Sequence, residues 1–248
     1  MMRTLVGVAR LLRVLGHLLH GMAIVALSFK RLGLNERQAR VQGWSAALLR
    51  HLGVQLTVIG QAQPHAGLLV ANHVSWLDIT AIHSACPRAR FVSKADVLKW
   101  PLLGWLIRQG GTLFIERERK RDAMRVVHEM AAAMQAGDLV AVFPEGTTGE
   151  GPQVLPFHAN LLQAAIAARM PVQPVVLRYR QPGQPFAEAA VYVGETSLAQ
   201  SLWWIACARG LAVEVCFLPP EDATSLDRRA LAERLRATIQ ATLTPPVV

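Results

Sequence analysis

Residues 120–143 read KRDAMRVVHEMAAAMQAGDLVAVF, and this stretch decides the fold. Its first part, 120–136, is rich in helix formers with apolar residues at helical spacing, and Gly137 follows where a helix would stop. Two residues later comes a continuous apolar run, 139–143, of the kind found in strands buried on both faces. Helix, glycine stop, buried strand is the grammar of an α/β protein. The same alternation extends in both directions. Strands are predicted at 54–59, 68–71, 90–92, 112–115, 139–143, 172–178, 190–193 and 213–217, and helices at 120–136, 159–169, 198–208 and 226–243. No internal repeat or low-complexity linker interrupts them. The expected fold is α/β, a single mostly parallel or mixed sheet flanked by helices.

Upstream of residue 53 the pattern is different. Residues 14–29 contain no Asp, Glu, Lys or Arg, and they are bounded by Arg13 on one side and Lys30 and Arg31 on the other. Sixteen such residues fall short of the roughly 20 that a spanning helix needs, and His17 and His20 dilute them further. Attachment to one leaflet is the preferred reading. A second helical pattern covers 35–52, with Trp44, Leu48 and Leu52 on one side and Arg37, Arg40 and Arg50 elsewhere. The two helices are expected to form a membrane-associated hairpin at 1–52, ahead of an α/β domain at 53–248. Packing of both onto a soluble core is the alternative.

Composition supports a membrane partner. The 248 residues are 52% hydrophobic and only 17% charged, with a mean hydropathy of +0.28 and a formal net charge of +9. Residues 1–50 hold eight bases and one acid, a net of +7 in that segment alone. These bases are interleaved with apolar runs rather than with glycine, serine or stacking aromatics, which argues for an anionic lipid surface and against nucleic acid. Three cysteines without CxxC spacing exclude a disulfide framework and a cysteine-based zinc site, and no metal is expected.

Polar clusters follow two of the buried strands, the place where α/β sheets build active sites. The first is Asn72-His73-Val74-Ser75-Trp76-Leu77-Asp78. With Ser75 capping a helix that begins at Trp76, Asp78 lies in the first turn and can fix one ring nitrogen of His73, leaving the other as a general base. Ser75-x-x-Asp78 also reads as a capping box that merely satisfies a helix N-terminus. The second cluster is Phe143-Pro144-Glu145-Gly146-Thr147-Thr148, in which Gly146 permits close backbone approach and Glu145 offers a carboxylate. A third, Gly111-Thr112-Leu113-Phe114-Ile115-Glu116-Arg117, ends in a guanidinium suited to phosphate or carboxylate, or simply in a solvated charge run. No phosphate-binding glycine loop, HExxH or credible nucleophile elbow is present. Direct, base-assisted transfer is the natural chemistry for such a set.

In order, NHVSWLD, GTLFIER, FPEGTT and the run Pro171-Val172-Gln173-Pro174-Val175-Val176 resemble the four motif blocks of the glycerolipid (lysophospholipid) acyltransferase family, typified by 1-acylglycerol-3-phosphate acyltransferase. The likeness covers about residues 54–217. It implies an α/β acyltransferase with no tightly bound cofactor, acyl-CoA or acyl carrier protein as thioester donor, a lysolipid acceptor, and attachment to the cytoplasmic face of the inner or plasma membrane. By resemblance His73 is the catalytic base and Asp78 its partner. Lys94, Arg117, Glu145, Gly146 and Thr147 fall at substrate-binding positions. Family members acting on phosphate-bearing acceptors commonly place Arg where this chain has Thr148. A phosphate would lose a bidentate partner there, but Lys94 and Arg117 can still serve it, so the leading acceptor is 1-acylglycerol-3-phosphate, giving phosphatidate, with lyso-ornithine lipid as the alternative. A lipid or thioester hydrolase and a non-catalytic membrane-binding protein are the readings from other classes.

Overall fold

The computed structural model describes residues 2–94, 104–105, 112–115 and 120–244. The chain begins with a long helix, α1 (Met2–Leu27), followed by a short 3-10 turn (Phe29–Arg31) and α2 (Leu34–Leu52). Gly53, at φ +76°, stops α2 and turns the chain into β1 (Gln55–Ile59). Then come β2 (Gly67–Ala71), α3 (Leu77–Ala85), β3 (Ala89–Lys94), β4 (Leu113–Ile115), α4 (Lys120–Gln135) and β5 (Leu139–Val142). The remainder is α5 (Gln163–Ala168), β6 (Val172–Arg180), α6 (Leu198–Cys207), β7 (Ala212–Phe217) and α7 (Arg228–Leu243). The strands form one seven-stranded mixed sheet in the order β1-β7-β6-β2-β5-β3-β4. Among the described strands only the β6/β7 pairing is antiparallel.

The apolar runs of β2 and β5 are unbroken because both faces of these central strands are covered. Leu69, Ala71, Leu139 and Ala141 pack on one side with Leu49 and Leu52 of α2, Leu77 and Ile82 of α3 and Ile205 of α6. Their chain neighbours Leu68, Val70, Val140 and Val142 pack on the other with Met130 and Met134 of α4, Ala164 of α5 and Leu235 of α7. Two helical layers therefore sandwich the sheet. Val14 of α1 belongs to the first of these cores, so residues 1–52 and 53–248 share hydrophobic packing.

Three sequence expectations need correction. Residues 190–193 are not a strand: Glu188–Ala190 is a 3-10 turn, and the extended stretch after it has no place in the sheet. Ala187 and Ala190 are buried against the core while the Tyr192 N–H donates to the Val74 carbonyl, so this segment is a strap over the loop after β2. The single helix expected over 159–169 is a 3-10 turn (Ala159–Leu161) followed by α5, which Arg169 ends in the left-handed region at φ +53°. Finally, α1 starts at Met2, well before residue 14. Arg13, which bounds the charge-free run, lies within the helix, and so does Arg10, whose Nη1 donates to the Ala206 and Ala208 carbonyls at 3.0 and 2.7 Å, at the negative end of α6.

One narrow side of α1 carries the whole attachment. Gly7, Val14, His17 and Gly21 are buried, Gly7 lying against Cys207 and Trp203 and Gly21 against Trp44. The His17 ring stacks on Trp44 with centroids 4.9 Å apart. Away from that seam, Leu5, Leu12, Leu15, Leu19 and Leu27 are each more than half exposed. The segment Arg3–Leu27 is long and apolar enough to cross a membrane, with a hydropathy of 1.4.

Candidate active site

β2 and β5 are parallel neighbours paired up to Val70 and Val142, so the loops that follow them emerge together from one edge of the sheet. That register alone brings the first two polar clusters into contact. On the far side of β2 the Asn72 side chain imitates a further rung of the ladder. Its amide donates to the Leu177 carbonyl at 2.9 Å and its oxygen accepts from the Leu177 N–H at 2.8 Å. The loop carrying His73 is therefore stitched to β6 before it departs.

His73 is held at four points. Its N–H donates to Glu145 Oε1 at 2.7 Å, and its carbonyl accepts from the Gly149 N–H at 2.7 Å. The imidazole lies parallel to Phe143, with centroids 4.0 Å apart and planes 11° from parallel. Nδ1 is 2.7 Å from Asp78 Oδ2. His73 is 19% exposed at its side chain and Asp78 not at all, so the carboxylate sits inside and the ring at the surface. Among the described residues nothing hydrogen-bonds Nε2. With Nδ1–H donated to the carboxylate, Nε2 carries the lone pair and is available as a proton acceptor.

Asp78 occupies the first turn of α3, as the spacing predicts, and reaches back into the loop. Oδ2 accepts from the Val74 and Ser75 N–H groups at 2.7 and 3.0 Å as well as from His73. One carboxylate thus orients His73 and accepts the Ser75 N–H, but the reciprocal capping box does not form: the N-cap is Trp76, and the Asp78 N–H donates to the Ser75 carbonyl rather than to its hydroxyl. The helix starts at Leu77 rather than Trp76, and the Ser75 hydroxyl makes only a 3.4 Å contact with the Leu77 N–H. The other oxygen, Oδ1, accepts from the hydroxyl of Tyr179 on β6 at 2.6 Å. Burial, followed by the adjacent Asp78 charge, raises the Tyr179 phenol well above its ordinary value, so it remains a donor. Sequence reading missed Tyr179. A tyrosine inside the buried strand VQPVVLRYR signals a need for a hydroxyl partner, without saying which.

Glu145 is 5% exposed and both its oxygens accept backbone N–H groups, Oε1 from His73 and Oε2 from Leu155 at 2.8 Å. Burial raises its carboxyl, an effect opposed by those two bonds. Gly146, at φ +72°, forms the turn that delivers Glu145, its N–H donating to the Phe143 carbonyl at 3.1 Å. Thr147 is exposed beside it. Thr148 donates its hydroxyl to the Tyr192 carbonyl, joining the turn to the strap. The structure therefore gathers His73, Asp78, Glu145, Gly146 and Thr147 at one edge. Lys94 ends β3, paired in register with Ile115 of β4; β3 flanks β5 on the side away from β2, two strands along the sheet from it. Arg117 lies outside the described residues.

A histidine held by a buried carboxylate, at the carboxyl edge of an α/β sheet, is an arrangement suited to the general base chemistry of a transfer enzyme. The chain belongs to the Acyltransferase family, whose sequence profile matches residues 55–178. Among its relatives, the lyso-ornithine lipid O-acyltransferase of Pseudomonas aeruginosa is 36% identical over 207 residues, 84% of this chain and 79% of that one. The 1-acyl-sn-glycerol-3-phosphate acyltransferase of Neisseria gonorrhoeae is 34% identical over 201 residues, 80% of this chain and 78% of that one. The crystal structure of the 1-acyl-sn-glycerophosphate (LPA) acyltransferase PlsC from Thermotoga maritima shares the fold, with a TM-score of 0.65, 19% identity and coverage of 94% and 96% of the two chains.

Proposed function

We propose that this enzyme moves a fatty acyl group from an acyl thioester, acyl-CoA or acyl carrier protein, to the free hydroxyl of a lysolipid. The observation that carries the reading is the 2.7 Å bond between His73 Nδ1 and a fully buried Asp78, which leaves Nε2 without a hydrogen-bond partner among the described residues. Nε2 takes the proton of the acceptor hydroxyl as its oxygen attacks the thioester carbonyl. The tetrahedral oxyanion then collapses, the C–S bond breaks, and the imidazolium returns the proton to the leaving thiolate. Asp78 stabilises the imidazolium between those two events.

The motif blocks favour 1-acylglycerol-3-phosphate as acceptor, with Lys94 and Arg117 as its cationic contacts. One observation favours lyso-ornithine lipid instead. The position after FPEGT is Thr148, and its hydroxyl is engaged by the Tyr192 carbonyl, which leaves no cation there for a phosphate. Glu145 serves this chemistry through the backbone, holding the His73 N–H while Gly149 holds the carbonyl. The apolar outer face of α1, with the basic residues of the first fifty, attaches the enzyme to one leaflet at the cytoplasmic face, where thioester donors meet lipid acceptors.

Purified protein offered a labelled acyl thioester and a panel of lysolipids tests the whole reading. Mass spectrometry should find a diacyl product from one of the two acceptors. Free fatty acid formed equally with and without acceptor would mark a hydrolase and overturn the proposal.

A further inference from the structure

The two oxygens of Asp78 are not equivalent. Oδ2 collects three donors: the His73 ring and the N–H groups of Val74 and Ser75. Oδ1 has one donor among the described residues, the Tyr179 hydroxyl at 2.6 Å. Tyr179 comes from β6, 101 residues further along the chain, and its backbone pairs with Val213 of β7 deep in the sheet. Both side chains are essentially removed from water, Tyr179 at 4% and Asp78 at 0% exposure. No solvent can therefore take over if the phenol is lost.

We infer that Tyr179 is a positioning residue for the acyl transfer: by donating to Oδ1 it fixes the carboxylate plane and keeps Asp78 anionic, and thereby sets how readily His73 Nε2 takes and returns its proton. The inference rests on His73 being the base. A donor to a carboxylate favours its charged form. Removing that donor makes the carboxylate hold a proton more tightly, whether that proton sits on Asp78 itself or on the His73 ring it faces. In either location it leaves Nε2 unable to act as a base, and both effects move the acid side of the rate profile towards higher pH. A tyrosine that merely filled space or satisfied a buried acid would affect unfolding and leave this limb in place.

The test is Tyr179→Phe, which deletes one oxygen and preserves the ring. Expected are a fall in kcat of about tenfold with KM within about twofold, and an acid limb of kcat/KM displaced upward by about half to one pH unit. In an Asp78→Asn background the same substitution should change kcat by less than about twofold, because its effect runs through Asp78. Should Tyr179→Phe fail to fold, fluorotyrosine incorporation decides. The chain has two tyrosines, Tyr179 and Tyr192, and a fluorinated phenol is a stronger donor of the same shape, so the acid limb should move downward. Wild-type kcat and an unmoved limb in Tyr179→Phe, or an unmoved limb in the fluorinated protein, would overturn the inference. His73→Ala separates this from failure of the underlying reading. If that variant stays active, the base assignment is wrong; if it is inactive while the tyrosine changes are silent, only the role of Tyr179 is.

Discussion

The loop after β2 and the outer face of α1 are opposite solutions to the problem of placing side chains. Around His73 almost every polar atom has a partner within 3 Å, and the pieces come from β2, α3, β5 and β6. Along α1, five leucines project away from the protein with more than half their surface bare. The first region concentrates its effect in a few bonds of defined geometry, so a single atom matters. The second spreads its effect over area, so residues there are individually replaceable and matter in number.

The contrast is sharpest for His73→Ala. Loss of the base should lower kcat by about 10²- to 10⁴-fold, while the thermal midpoint and vesicle binding stay close to wild type, as followed by circular dichroism and flotation. A variant that kept most of its activity would remove the distinction between the two regions.

On the α1 side, no single leucine should approach that effect. Leu5, Leu12 and Leu19 recur at heptad spacing on the exposed face, and each buried leucine is worth about 1.5–3 kcal/mol when moved out of water. Changing all three to serine should reduce partitioning onto anionic vesicles by about 10²-fold or more. Turnover of a short-chain acceptor dispersed in detergent should be unaffected. Retained vesicle binding would show that this face is not the attachment surface.

How much of this could be read from the sequence follows the same division. β2 and β5 were legible because burial on both faces leaves an unbroken apolar run, and the two clusters were legible because they interrupt it. Asp78 was placed correctly because its bond to His73 is local, five residues apart. Tyr179 was not, because its partner lies 101 residues away and strand order is invisible to local pattern. The true length of α1 was hidden by Arg13, which bounds the charge-free run 14–29 although the helix continues through it back to Met2. Residues 190–193, Ala-Val-Tyr-Val, have the β-branched and aromatic composition of a strand, but tertiary packing uses them as a strap.

Glu145→Gln probes the first region more gently. One amide position can no longer accept an N–H, so either His73 or Leu155 loses its partner, at a cost of about 1–3 kcal/mol, partly offset by removal of a buried charge. Activity should fall by about tenfold, through the loosened His73 loop. The sign of the pH effect follows from burial raising the Glu145 carboxyl above 4.5. The folded protein then binds this proton more tightly than the unfolded chain, so its contribution to stability is fullest below the unfolded value and is lost as pH rises through the folded one. Relative to the glutamine variant, the wild type should therefore gain stability as pH falls across that interval. Denaturant midpoints measured on either side of it give the comparison.

Arg10→Ala has the smallest expected effect, and it tests whether α1 is a fixed part of the enzyme or a tether. The guanidinium bonds two carbonyls at the end of α6 and lies against Gly53, where any added Cβ would meet it. Losing those bonds leaves two part-buried acceptors, and hydrogen bonds to a charged donor are worth about 1.5–3 kcal/mol. Water reaches a part-buried site, so the lower end applies and the denaturant midpoint should drop correspondingly, with kcat on a dispersed acceptor unchanged. Because Gly7 and Gly21 still seat the helix against Cys207 and Trp44 on either side of residue 10, α1 should stay docked. Protease susceptibility near residue 10 should then rise only modestly. Rapid cleavage there would mean that a single arginine holds the helix down, and that α1 leaves the protein surface as easily as it meets the lipid.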